Sequence, residues 1–299
     1  MSRYWLHQRE RGSRFTLRLI TWIALRLGRA PARVLLYPIC IYFVVLSRHA
    51  RRASQQYLQR ILGHAVGIKE VFRHYHYFAS TILDRVFLLC GRHDIFDVDI
   101  HGAELLEERA KKGEGCILLG SHLGSFEVLR SLGITLKALP ISILMYEDNA
   151  EKINELLQSL NPKLSNTIIP IGSFDSMLRV KECLDKGGLV GILGDRVAQN
   201  DKTVRCQFLG LPAAFPAGPL LLAASLKVPV ILCFGLYCGD NRYEIYTELL
   251  ADRINISRAT RTEDLKYWAQ RYVDRLEHYC RLAPYNWFNF YDYWSTAEQ

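Results

Sequence analysis

The 299-residue sequence predicts an α/β fold in which a mostly parallel central sheet is flanked by helices, preceded by an N-terminal helical segment of different character. Three observations carry this reading. Short apolar runs alternate with amphipathic stretches from "GCILLG" (115–120) to "VPVILCFGLY", the rhythm of strands joined by helical crossovers. Apolar residues make up 49% of the chain, enough for a large core and too many for a disordered one. Positive charge gathers in the first 60 residues, where twelve arginines meet one acidic residue, Glu10.

That head carries +11 against +8 for the whole chain, which leaves residues 61–299 at −3. A basic head on a slightly acidic body points to a polyanionic surface, either nucleic acid or the anionic face of a membrane. Apolar content selects the membrane. "FTLRLITWIALRLG" (15–28) has an apolar face interrupted by Arg18 and Arg26, and "VLLYPICIYFVVLS" (34–47) runs 14 residues without a charge. A full span needs about 20 apolar residues, so the pair, joined by "RAPAR", reads as a helical hairpin dipping into one leaflet or as core helices. Trp22, Tyr37 and Tyr42 suit the headgroup level, and flanking arginines favour anionic lipid on the cytoplasmic side. Charges fill the first 14 residues and no A-x-A site follows the apolar run 34–47, which argues against a cleaved signal peptide.

Further elements follow in order. "QQYLQRILG" and "IKEVFRHYHYFASTILDRVFLL" read as helices stopped by Gly63 and Gly91. "GCILLG" reads as a buried strand, 125–138 as a helix, "ISILMY" as a strand, and "NAEKINELLQSL" as a helix capped by Asn149. "NTIIPI" and "GLVGILGD" read as strands around the helix "SFDSMLRVKECLDKG". A helix at 216–226, the strand "VPVILCFGLY" and the long helix "RTEDLKYWAQRYVDRLEHYCRLAP" complete the chain. No repeat or low-complexity linker divides it, so 1–60 reads as the membrane-associating segment and 61–299 as a single domain. Eight cysteines without a CxxC pair read as reduced core thiols of a cytoplasmic setting.

Chemistry concentrates in "CILLGSHLGSFEVLRSL" (116–132). Functional groups in parallel sheets collect beyond the carboxyl ends of strands, and His122 lies just past "CILLG". With Ser125 as N-cap, Glu127 falls at the second helical position, and Gly120 and Gly124 permit the tight turn between them. A carboxylate on one ring nitrogen would fix the tautomer and leave the other free to take a proton. On spacing alone a structural His–Glu pair fits equally well. Position 119 is Leu, so the G-x-S-x-G elbow of serine hydrolases fails; no Walker loop or G-x-G-x-x-G follows a strand. His74 and His76, two apart, read as packing or surface residues rather than metal ligands.

"GSHLGSFE" resembles the first block of the lysophospholipid acyltransferase superfamily, a histidine and an acid with four residues between them. The likeness is closest to the branch of bacterial late acyltransferases of lipid A biosynthesis and their relatives. It extends through "GGLVGILGDR" (187–196) and "CQFLGLPAAFPAGPLLLAASLKVPVIL" (206–232). "ERGSRFTLRLITWIALRLGR" and "APYNWFNFYDYW" (283–294) resemble the relatives associated with aryl polyene clusters. The resemblance implies a glycerol-3-phosphate acyltransferase-like fold and an acyltransferase active in lipid or glycolipid synthesis at the cytoplasmic face of the bacterial inner membrane. It implies His122 as general base oriented by Glu127, with Ser121, Gly124, Ser125, Asp195 and Arg196 around the substrate. The donor it implies is an acyl carrier protein or coenzyme A thioester, with no cofactor, no metal and no nucleic acid.

An oxyanion formed in that transfer would call for donors, and the backbone N–H groups near Gly124–Phe126 or the Arg196 side chain are candidates; Arg196 is otherwise a structural partner of Asp195. The lipid A enzymes carry cations where this chain has Glu147 and Asp148, so the acceptor expected is a less anionic lipid hydroxyl. Two alternatives stand beside this reading: a true lipid A late acyltransferase, and a lipid- or polyanion-binding protein without activity. The tail "YNWFNFYDYW" reads as packing or as the flank of a lipid cleft.

Overall fold

The structure is a computed structural model that describes residues 22–129, 141–146, 160, 167–172, 175–198 and 201–294. After a short helix at 22–27 come three longer ones: α1 (Arg29–Leu46), α2 (Arg48–Leu62) and α3 (Ile68–Leu89). Strands and helices then alternate as β1 (Asp97–His101), α4 (Ala103–Lys112), β2 (Cys116–Gly120), β3 (Ile141–Tyr146) and β4 (Ile168–Ile171). They continue as α5 (Ser176–Asp185), β5 (Leu189–Leu193), β6 (Thr203–Phe208), β7 (Leu211–Pro216), α6 (Gly218–Leu226), β8 (Val230–Gly239), β9 (Arg242–Ala251) and α7 (Arg261–Leu282).

Seven strands form one sheet in the order β1-β9-β8-β2-β5-β3-β4. Every neighbouring pair is parallel except β8 and β9, which are antiparallel. The expected α/β class with a mostly parallel sheet is therefore the observed one. All five residues of β2 are buried, as a strand covered on both faces requires. The separate β6–β7 hairpin, the first strand β1 and the antiparallel β9 were not anticipated. Gly63 ends α2 in the left-handed region (φ 73°), as its position after the apolar run predicts.

The head departs from expectation in two ways. "RAPAR" is no hairpin turn: α1 begins at Arg29 and Pro31 sits in its first turn, where no amide partner is needed. The helix 22–27 ends instead at Gly28, whose φ of 93° breaks the path. Nor are all the arginines offered to solvent. Arg29 grips the buried Asp84 of α3 through two bonds of 2.6 and 2.8 Å, and Arg33 reaches the Tyr237 hydroxyl at 3.2 Å. Ala32, Leu36, Cys40 and Val44, spaced by four, are the buried face of α1, which packs along α3. The opposite face leaves Val34, Tyr37, Ile41 and Val45 more than half exposed. The helices expected at 125–138 and 149–160 fall mostly outside the described residues, which show a 3-10 turn at Glu127–Leu129 and, of the second, only residue 160 in helical conformation.

Candidate active site

Strands β2 and β5 lie side by side in parallel, with Gly120 opposite Leu193. Two residues beyond those partners stand His122 and Asp195, so strand register alone brings them together. His122 Nδ1 donates to Asp195 Oδ1 at 2.8 Å, and the His122 backbone N–H reaches the same carboxylate at 3.0 Å. Asp195 is completely buried, and its other oxygen accepts from Trp287 Nε1 at 3.1 Å and Asn289 Nδ2 at 2.9 Å. Burial alone would raise the pKa of this carboxyl. His122, Arg196 and Asn289 outweigh it and hold the group at about 2, so it is an anion at neutral pH.

With Nδ1–H on a carboxylate, the imidazole carries its lone pair on Nε2. Burial and the positive charge of Arg196, with a lesser part from Arg85, lower the ring's pKa below its ordinary 6.5 against the pull of Asp195. The side chain is 28% exposed. It is a neutral, oriented base that a substrate can reach.

Glu127 takes another place than the one expected. The carboxylate on Nδ1 is that of Asp195, whereas Glu127 Oε1 forms an ion pair with Arg85 Nε of α3 at 2.8 Å. The reason is local geometry. The chain after β2 does not run straight into a helix but is tied down by bridges from Leu123 to Trp287 and from Gly124 to Gly235. Glu127 emerges from the 3-10 turn beyond these ties, facing α3.

The same ties decide the Gly124 region. Gly124 N–H donates to Asn286 O at 2.9 Å and Ser125 N–H to Gly235 O at 2.7 Å, so neither is free to stabilise an oxyanion as expected. Gly124 has φ +71°, and a Cβ there would lie 2.0 Å from Gly235 O; only glycine fits. Ser121 is buried beside the Tyr272 hydroxyl, which donates to Gly120 O at 2.9 Å. Ser125 is buried with its hydroxyl unpartnered among the described residues.

Arg196 does not clamp Asp195 directly. Its Nε–H donates to Asn289 Oδ1 at 2.7 Å and its terminal N–H to Phe288 O at 2.8 Å, leaving further guanidinium donors. The tail that sequence left ambiguous is thus the site's wall. Phe288 N–H donates to His122 O at 2.7 Å, and His74 Nε2–H donates to Trp287 O at 2.9 Å from behind. His74 is fully buried, its pKa lowered by burial to about 4, with Nδ1 accepting from Ser54. Trp287 and Asn289 were missed as site residues; the cluster of buried-type aromatics interleaved with asparagines in "YNWFNF" was the available signal.

Residues 18–296 match the family model described as bacterial lipid A biosynthesis acyltransferase. The chain belongs to that family. No curated protein matches it significantly. For a lipid A biosynthesis acyltransferase family member, acyl transfer to a lipid acceptor is the activity, and the inner membrane is the setting.

Proposed function

We propose that the protein is a membrane-associated O-acyltransferase in which His122, oriented by Asp195, is the general base. The observation that carries this is the 2.8 Å contact between His122 Nδ1 and a fully buried, ionised carboxylate. An acceptor hydroxyl oxygen attacks the thioester carbonyl while its proton passes to Nε2. Collapse of the tetrahedral intermediate breaks the C–S bond, and the imidazolium returns the proton to the leaving thiolate. Such a base typically contributes about 10²–10⁴ in rate. Arg196, with donors to spare, is the oxyanion stabiliser that the geometry supports best. Glu127 holds Arg85 near His122 rather than the ring itself.

The donor is an acyl carrier protein or coenzyme A thioester. The membrane contact is the exposed face of α1, 18 residues with a mean hydropathy of 1.5, lying in the cytoplasmic leaflet of the inner membrane. The exposed Arg48 and Arg52 just beyond its end suit anionic headgroups. Residues 1–60 are the membrane-associating segment and 61–299 the catalytic domain. The terminal strings support the branch of relatives associated with aryl polyene clusters.

For the acceptor, Glu147, Asp148 and Glu151 against Lys152 and Lys163 favour a less anionic lipid hydroxyl over a doubly phosphorylated one. These five lie outside the described residues. The experiment is a side-by-side transfer assay on purified protein with both thioester donors, a lipid A precursor and a neutral glycolipid. Transfer to the glycolipid, lost in His122→Ala, is the expected result; efficient acylation of the lipid A precursor would reverse the acceptor reading. Full activity in folded His122→Ala would remove the base.

A further inference from the structure

Three consecutive residues of the C-terminal segment touch the machinery at every point. Trp287 donates to Asp195, Phe288 binds the His122 backbone and accepts from Arg196, and Asn289 touches both Asp195 and Arg196. Asn289 is 1% exposed, and its amide has one orientation that works. The Nδ2–H end must face the Asp195 carboxylate (2.9 Å), and the Oδ1 end must face Arg196 Nε–H (2.7 Å). Reversing it would set donor against donor and acceptor against acceptor.

We propose that Asn289 is a positioning residue for the acyl transfer: one amide holds Asp195 against His122 and fixes Arg196 beside them, setting base and cation as a unit. Only an amide of this length presents a donor to Asp195 and an acceptor to Arg196 at these distances. Aspartate keeps the acceptor for Arg196 but loses the donor to Asp195; alanine loses both. The proposal rests on the reading of His122 as the base.

Groups that bear on the ring's titration come from each surrounding element. Asp195 and Arg196 follow β5, Arg85 comes from α3 with Glu127 bound to it, and burial keeps the Tyr291 and Tyr293 hydroxyls protonated. Arg196 is the cation that most depresses the ring. Released from Asn289, Arg196 keeps only its bond to Phe288 O and is no longer fixed beside the ring.

The test is kcat/KM against pH for Asn289→Ala and Asn289→Asp in the full chain, with an NMR titration of the His122 ring and thermal melts. Losing part of the base's contribution predicts a fall of at least about tenfold at neutral pH in both variants. The ring pKa and the acid limb should move upward together in both: in Asn289→Ala because Arg196 is released, in Asn289→Asp because a second carboxylate faces the dyad. A folded Asn289→Ala with the wild-type rate and acid limb overturns the proposal. So does failure of both variants to fold, which would make Asn289 a stability residue only. If His122→Ala stays active, the base reading falls and this proposal with it; if His122→Ala is dead and Asn289→Ala is normal, this proposal alone falls.

Discussion

Replacing Asp195 by asparagine separates the two carboxylates that sequence and structure offer as partner of His122. In the native site Oδ1 accepts from both His122 N–H groups and Oδ2 from Trp287 and Asn289. Asparagine has a single acceptor oxygen. Turned toward His122, it presents its NH₂ to two other donors. Turned away, it donates to Nδ1 and drives the ring proton onto Nε2, where the lone pair is needed. Either way the general-base contribution of about 10²–10⁴ should be lost, or about 3–5 kcal/mol of barrier. Stability should fall as well. A carboxyl held at about 2 against an ordinary 3.8 contributes about 2 kcal/mol, present above pH 3.8 and lost as the pH falls toward 2. The assay is initial-rate acyl transfer with a thermal melt on the same samples, and Glu127→Gln is run in parallel. Glu127→Gln weakens the tie to Arg85 and should cost less. If Asp195→Asn stays within tenfold of wild type while Glu127→Gln loses more than a hundredfold, Glu127 is the orienting acid and the reasoning here fails.

Three further expectations follow from the same geometry. Because the His122 pKa is lowered, kcat/KM should hold constant through neutral pH and decline only below pH 6.5; a midpoint above 6.5 would show that the ring is not depressed. His74 binds a proton readily only when unfolded, so stability should fall as pH drops from 6.5 toward 4, by about 3 kcal/mol in all; denaturant melts of His74→Gln should show a flatter profile. Removing residues 1–47 would uncover α3, so the cleaner probe of the membrane is Ile41→Glu with Val45→Glu on the exposed face of α1, which should release the protein from anionic vesicles at an unchanged melting temperature.

By itself the sequence determined the alternation of strands and helices, the stops at Gly63 and Gly91, and His122 at a strand's carboxyl end. These are local properties: apolar period, backbone freedom at glycine and the length of a buried run. It also marked Asp195 and Arg196, through likeness to a family block. The tertiary structure decided which carboxylate meets the ring. Asp195 lies 73 residues from His122 and is brought to it by pairing of β2 with β5, whereas Glu127, five residues away, is carried past by a turn tied to β8 and the C-terminal segment. It decided as well that Trp287 and Asn289, more than 90 residues after Asp195, would close over it. Spacing along a chain reports only what a short stretch can do alone; a charge buried at the end of a sheet takes its donors from whichever strands and segments the long-range packing sets beside it.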